Sequence, residues 1–450
     1  MMRFSLLLLA VNSLLWSAAS FAADRPHYGG TLRIEVRDTW QSLDPVALTS
    51  AASKSLSLTV FETLVALDDR GSPQPLLVSS WTSEPGNQRW RFQLRSGVSF
   101  SDGTPLDAAA VVASLRNSNS EWKVVAAGDS VIIETETPDL FLPATLAEAR
   151  HGIVRRNNGG LIGTGPFVIR EWAAGKHLTL AANDLYWAGR PFLDAVNVDI
   201  GKNDREQTMM LDLGKADVVQ VAAENIHRTQ SDNREVMISR PAELMALVSA
   251  SAPESDDEIH LRNALAMSID ATALNDVVMQ GGGEPASALL PTWMSGYGFV
   301  FRDSQSASAR LQTPSKRNQT WTLSFENSDP VARVIAQRLA LNAREAGITL
   351  DTSGAANTDL RLVRIPLASS DPHIAVAELA NALQLPRPKF NDSSVADLYT
   401  AEKNLLDSHR LIPLLHLRVA VALRPGIHDM SISPDGNWRL QNAWLAAEKP

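Results

Sequence analysis

The chain has 450 residues, 44% of them hydrophobic, no cysteine and a formal net charge of −9. The absence of cysteine excludes disulfides, thiolate metal sites and a lipid-modified cysteine anchor. The acidic balance, with no basic run, argues against nucleic acid and anionic membrane surfaces as partners. This length exceeds what one core ordinarily covers, so two or more lobes are expected.

Residues 1–23 read as a cleavable export signal. Arg3 supplies the positive start, and the stretch from Leu6 to Trp16 is mostly apolar but too short to span a bilayer stably. Ser20-Phe21-Ala22 sets small residues ahead of a cut after Ala22. No later stretch is apolar enough to cross a membrane, and no heptad seam or exposed apolar stripe is visible. The processed protein is therefore expected in the periplasm as a soluble monomer.

From Gly30 to Val36, apolar and polar residues alternate as in a half-buried strand. Leu43-Asp44-Pro45 reads as a turn. Ala51 to Leu64 carries Leu56, Val60, Phe61 and Leu64 at helical spacing. Residues 74–200 are rich in short strands, among them Trp90 to Leu94, Val131 to Ile133 and Leu178 to Leu180. One helix interrupts them. Thr104 is read as its cap, with Pro105 in the first turn and Asp107 completing a capping box ahead of Val111, Val112 and Leu115.

The second half alternates strands with longer helices. Ser255 caps a helix whose first turn holds Asp256, Asp257 and Glu258, which suits the helix dipole. Asp329-Pro330 opens another, with Val331, Val334, Ile335 and Leu339 on one face and Gly347 beyond its end. Ile348 to Leu350 and Leu360 to Val363 are expected strands. This alternation predicts an α/β lobe. With no repeat and no Gly/Ser linker, the lobes are expected to share chain crossings.

Several segments, taken in order, are distinctive. They are Tyr28-Gly29-Gly30-Thr31-Leu32, Phe61-Glu62-Thr63-Leu64-Val65, the run from Trp90 to Leu106, Gly163-Thr164-Gly165-Pro166-Phe167, Asn183-Asp184-Leu185-Tyr186-Trp187 and Arg262-Asn263-Ala264-Leu265. In this order they resemble the family 5 extracellular solute-binding proteins, which include the peptide- and nickel-binding subunits of ABC importers. The resemblance implies an α/β, two-lobed periplasmic-binding-protein fold with a hinge and a strand-rich subdomain inserted in lobe one. It also implies a solute held in the cleft, closure over it, and delivery to the membrane subunits of an ABC permease, with no cofactor and no catalysis. On this basis residues 24–240 and 411–450 form lobe one, and residues 241–410 form a shortened lobe two. The crossings run from Met237 to Ser249 and from Leu411 to Leu423.

Gly160-x-x-Gly163-x-Gly165 lacks the lysine and the following helix of a phosphate loop and reads as a shaped turn. The nine histidines form no closely spaced metal pair, and no nucleophile elbow or His-Glu-x-x-His occurs. Trp40, Trp293 and Tyr297 are candidates for an aromatic cleft lining, and each also fits a core position. The resemblance places Asp371, of Asp371-Pro372, near a ligand-gripping aspartate, although a turn role serves equally. Glu326 stands near the position where dipeptide-binding members carry an arginine, and a solvated glutamate is the alternative. Acids without a base imply a neutral or cationic solute, such as an amine, a glycoside or a chelated metal, rather than a free dipeptide. Arg333, Arg361 or Arg364 turned inward would restore the base. The rival reading is a scaffold or sensor that keeps the binding fold without transport.

Overall fold

A computed structural model describes residues 25–446 apart from 49, 158–159, 299, 302–318, 327–328 and 353–357. The export signal and Phe299 lie outside the described residues. The strands used below are β1 (Thr31–Glu35), β2 (Val78–Ser83), β3 (Arg89–Leu94), β4 (Lys123–Ala127), β5 (Ser130–Glu134), β6 (Phe167–Ala173) and β7 (His177–Ala182). They continue with β8 (Ala195–Asp199), β9 (Val218–Val221), β10 (Glu235–Ser249), β11 (Gln319–Ser324), β12 (Ile348–Asp351), β13 (Leu360–Pro366) and β14 (Leu411–Leu423). The helices are α1 (Ala51–Leu58), α2 (Ala108–Ser118), α3 (Asp204–Asp212), α4 (Asp256–Ser268), α5 (Pro330–Ala343), α6 (Pro372–Ala382) and α7 (Val395–Leu406).

One mixed sheet runs in the order β6-β7-β8-β1-β9-β14-β10-β13-β11-β12, with the short strand Gly283–Pro285 also on β14. Parallel pairing of β8, β1 and β9 builds the N-terminal half, and parallel pairing of β13, β11 and β12 builds the C-terminal half. The long strands β10 and β14 lie antiparallel between them, with Glu235 opposite Leu423 at one end and Val248 opposite Leu411 at the other. β9 pairs with the Ala420–Leu423 end of β14, whereas β13 pairs with the Glu243–Ser249 end of β10. The same two strands thus serve both halves.

Alternation along β10 explains why its Leu244–Ser249 end is buried on both faces. Met245 and Leu247 point to a core with Leu265 of α4 and Ile335 and Leu339 of α5. Leu244, Ala246 and Val248 point to a second core with Leu379 of α6 and Leu398 and Leu405 of α7. The N-terminal half has its own core around Leu32, Ile34, Leu180, Val196 and Val198. The four-stranded sheet β2-β3-β5-β4 closes with α2 over Phe92, Phe100, Val111, Leu115 and Ile133.

The caps in the second half behave as the sequence predicts, whereas Val334, read onto the apolar face of α5 with Ile335 and Leu339, is 48% exposed. Ser255 accepts from the Glu258 N–H, Asp329 caps α5, and Gly347 takes φ +74° beyond its last turn. Two first-half expectations are corrected. α2 begins after Asp107, which accepts from the Ala110 N–H, because Pro105 is held in a bridge to Ser99 and cannot enter the helix. α1 stops at Leu58, and residues 60–64 leave the helix to line a backbone contact.

That contact accounts for the glycine-rich motif. The Gly165 N–H donates to the Val60 carbonyl at 3.0 Å, and the Phe167 N–H to Thr59 at 3.0 Å. A Cβ on Gly163 or Gly165 would strike the Val60 or Thr59 carbonyl, so only glycine fits. Beside it the buried Glu62 carboxylate accepts from Thr164 Oγ1 at 2.8 Å, Tyr186 Oη at 2.8 Å and Trp187 Nε1 at 2.9 Å. Burial raises its pKa, and these three donors oppose the rise. Three separated motifs of the sequence therefore meet around one carboxylate.

Candidate functional site

Ligands of open α/β sheets bind beyond the carboxyl ends of parallel strands, where loops and helix starts can converge. In the C-terminal half, β11 and β13 end at Ser324 and Pro366, which brings the segments carrying Glu326 and Asp371 to one edge. In the N-terminal half, β1 leads through a loop to α1, whose cap Ser50 accepts from the Ser53 N–H and whose first turn carries Lys54. Between these edges, two groups of charged side chains bring the halves together.

The first contact joins residues 68–150 to residues 370–390. Arg150 Nε donates to Glu148 at 3.1 Å, and Arg150 Nη2 donates to Glu378 of α6. Glu148 is buried, with 6% of its side chain exposed. Its carboxyl is pushed up to about 7, mainly by burial, with Glu378 adding and Arg150, Lys54 and Arg387 opposing. Lys54 lies in the same field; burial lowers its pKa, and Glu148 opposes this. Phe141 stacks on His373 of α6 at 4.2 Å and meets Phe390 edge-on at 5.5 Å.

The second contact lies toward the crossing strands. Arg364 of β13 pairs with Glu243 of β10 at 3.1 Å and with Asp329 at 3.6 Å. Glu224, which follows β9, lies in the same charge field. Burial disfavours the Arg364 charge, but Glu243, Glu224 and Asp329 outweigh it and hold the pKa above the ordinary arginine value. Arg364 still keeps 30% of its side chain open to solvent. Burial raises the Glu224 pKa, and its Oε2 is buried without a hydrogen-bond partner.

The predicted site residues divide. Glu326 is exposed at the edge, and its carbonyl accepts from the Asp329 N–H at 3.1 Å. Asp371 is the N-cap of α6, accepting from the His373 and Ile374 N–H groups at 2.9 and 3.2 Å, which commits one carboxylate oxygen to the helix. Trp293 is half-buried against β10, donating from Nε1 to the Pro241 carbonyl at 2.9 Å with the Arg240 guanidinium 5.2 Å from its ring. Trp40 and Tyr297 take the core positions that the sequence also allows. Trp40 is 8% exposed and belongs to the N-terminal core, and Tyr297 packs edge-on to Phe301 and Tyr399 in the C-terminal core. Of the three candidate bases, Arg364 occupies a contact between the halves. Lys54, Phe141, Glu148, Arg150, Glu224 and Glu378 were not anticipated; only the Ser50 cap before Lys54 is a local signal for any of them.

A separate groove of about 550 Å³ lies between α3 and the short helix Ile226–Ser231, over Val219, Val221 and Ala422. It includes none of the residues at either contact. Among the described residues, no group of three or more His, Asp or Glu side chains converges to hold a metal ion.

Comparison with known proteins bears on this arrangement. The family described as bacterial extracellular solute-binding proteins, family 5 Middle, matches residues 72–378. Among curated relatives, the Bacillus subtilis protein YhjP is 33% identical over 170 residues, 34% of this chain and 29% of that protein. Protein XP55 of Streptomyces lividans is 25% identical, covering 66% of this chain and 62% of that protein, so the chain spans less than two thirds of either relative. The probable D,D-dipeptide-binding periplasmic protein DdpA of Escherichia coli is 22% identical over 71% of this chain and 69% of its own. NikA from Brucella suis in complex with Fe(III)-EDTA superposes with a TM-score of 0.76 at 18% identity, covering 92% of this chain and all of that one. AppA from Bacillus subtilis in complex with a nonapeptide gives 0.74 at 17% identity, over 94% and 100%. The matched segment spans both the four-stranded sheet and the edge carrying Glu326 and Asp371, and the chain belongs to the bacterial extracellular solute-binding proteins of family 5, a family of binding proteins and not of enzymes.

Proposed function

We propose that this protein is the solute-binding subunit of an ABC importer, which takes a small solute between its two halves and presents it to a permease. In this reading residues 24–240 with 411–450 act as one lobe, residues 241–410 act as the other, and β10 and β14 form the hinge. Membership of family 5, whose members are periplasmic or extracellular, supports both the role and the compartment. The observation that carries the reading is the pair of contacts at the carboxyl edges, each drawing charged side chains from both halves.

The second contact also supports a ligand charge. Glu243 and Asp329 pair with Arg364, and Glu224 lies in the field of Arg364 and Arg37 with a buried oxygen that has no hydrogen-bond partner, so three carboxylates meet two guanidinium groups. A buried anion favours a positive or hydrogen-bond-donating partner. We therefore infer a neutral or cationic solute. Related proteins are named for D,D-dipeptides, nickel and murein peptides, which spans that range and beyond it. Calorimetry against dipeptides, amines, glycosides and chelated metals is the test. Saturable binding of one neutral or cationic compound, weakened in Glu224→Gln, is expected. Tight binding of an anionic solute would overturn the charge assignment, and no binding across the panel would favour a scaffold or sensor.

A further inference from the structure

We propose that Phe141, Arg150 and Gly71 seal one end of the site against α6, so that the site takes a compact solute and excludes an extended peptide. The inference rests on the reading that solute binds between the halves. Three separate contacts make the seal. The Phe141 ring sits between His373, at 4.2 Å, and Phe390, at 5.5 Å, and the latter two rings also meet at 5.0 Å. Arg150 bridges Glu148 of its own half to Glu378 of the other. At Gly71 the two backbones themselves touch: φ is +80°, and a Cβ there would run into the Ser370 carbonyl.

An extended peptide needs about 4.8 Å between its backbone and that of each neighbouring strand, plus room for alternate side chains. The contact at Gly71 leaves no such layer. The aromatic wedge fills the adjacent volume, and Arg150 closes the third point. A peptide running out through this end would have to part all three. The other end is bounded by the crossing strands, where Arg364, Glu243 and Glu224 gather. Length selection thus follows from contacts between the halves rather than from any pocket for a chain terminus. Gly71 is the most demanding of the three, because any side chain would both force a strained φ and collide with the opposite backbone.

The chain has no cysteine, so paired labels can be introduced cleanly. Cysteines at the exposed positions Leu140 and Lys389, beside Phe141 and Phe390, would carry spin labels for dipolar distance measurement. The full chain is expected to give a short, narrow distribution. Glu378→Gln, which keeps the volume and removes the ion pair across the seal, should broaden it, and Phe141→Ala should shift it to longer separations. Thermal melts identify any variant that fails to fold, and Glu378→Gln remains informative if Phe141→Ala does. In parallel, a fluorescein-labelled nonapeptide should fail to bind the wild type. A long, broad distribution in the wild type, distributions unmoved by both variants, or saturable nonapeptide binding would each overturn the seal. Short label separations in a protein that binds no solute of any class would instead count against the binding reading and leave the seal standing.

Discussion

The two contacts between the halves are built from similar residues and behave differently. At the first, Arg150 sits between Glu148 and Glu378, whose side chains are 6% and 14% exposed, and aromatic rings close over the neighbouring volume. At the second, Arg364 pairs with Glu243 and Asp329, whose side chains are 21% and 23% exposed, and nearby Glu224 has a buried oxygen without a hydrogen-bond partner. The first holds its carboxylates more deeply, although Arg150 itself is 38% exposed, and a buried carboxylate without its partner is costly. The second carries excess negative charge near solvent, which a ligand can answer. The depth of the carboxylates separates the two contacts more clearly than residue type does.

Four perturbations test that difference. The largest effect is expected from Arg150→Ala, which leaves Glu148 buried without its nearest cation. Breaking a buried pair this way costs about 3 kcal/mol, with protonation of Glu148 limiting the loss. Urea denaturation measures it, and a loss of only a few tenths of a kcal/mol would make the contact an ordinary surface pair.

The next effect is a pH dependence. Glu148 is pushed up to about 7, so the folded chain holds its proton where the unfolded chain has lost it. Its stability contribution is therefore full below the ordinary carboxylate pKa and falls as pH rises toward 7. The neighbouring His151 is pushed down to about 3 by burial and Arg150, so it titrates in the opposite sense, but it does so in wild type and variant alike. Relative to Glu148→Gln, the wild type should lose about 2 kcal/mol between about pH 5 and about pH 8. Parallel stability curves for the two proteins would contradict the assignment.

A smaller loss, about 1–2 kcal/mol, is expected for Phe141→Ala, because the ring is half-buried rather than enclosed. Differential scanning calorimetry reads this directly. The smallest is Arg364→Met, under about 1 kcal/mol, since the acids it pairs with, Glu243 and Asp329, are more exposed than Glu148 and Glu378 and stay hydrated without it. The loss should shrink further at about 1 M salt, whereas the loss in Arg150→Ala should persist. Equal salt sensitivity at the two positions would erase the contrast.

Legibility from sequence followed the range of the interaction. Caps at Ser255 and Asp329 and the left-handed Gly347 are local, and they sit where the sequence indicates. The start of α2 was misread because Thr104 and Asp107 offer equivalent capping chemistry, and the bridge to Ser99 that decides between them is not a helix signal. Glu326 and Asp371 follow β11 and β13; the alternation of β13 is visible in the sequence, whereas β11 is not among the strands it indicates. Trp40 and Tyr297 were ambiguous because aromatic rings serve cores and clefts alike. The Arg150–Glu378 pair spans 228 positions, and Glu224 likewise acts on Arg364 from a distant segment, so neither leaves a pattern in a single sequence.

The central claim is that the acid-rich contact binds a compact solute between the halves. Native mass spectrometry of the wild type and Glu224→Gln, both recovered from the periplasm, tests it most directly. The account predicts that the wild type carries one small neutral or cationic molecule per chain and that the variant has lost most of it. A co-purified anion, a long peptide, or full retention of the molecule by Glu224→Gln would contradict the account.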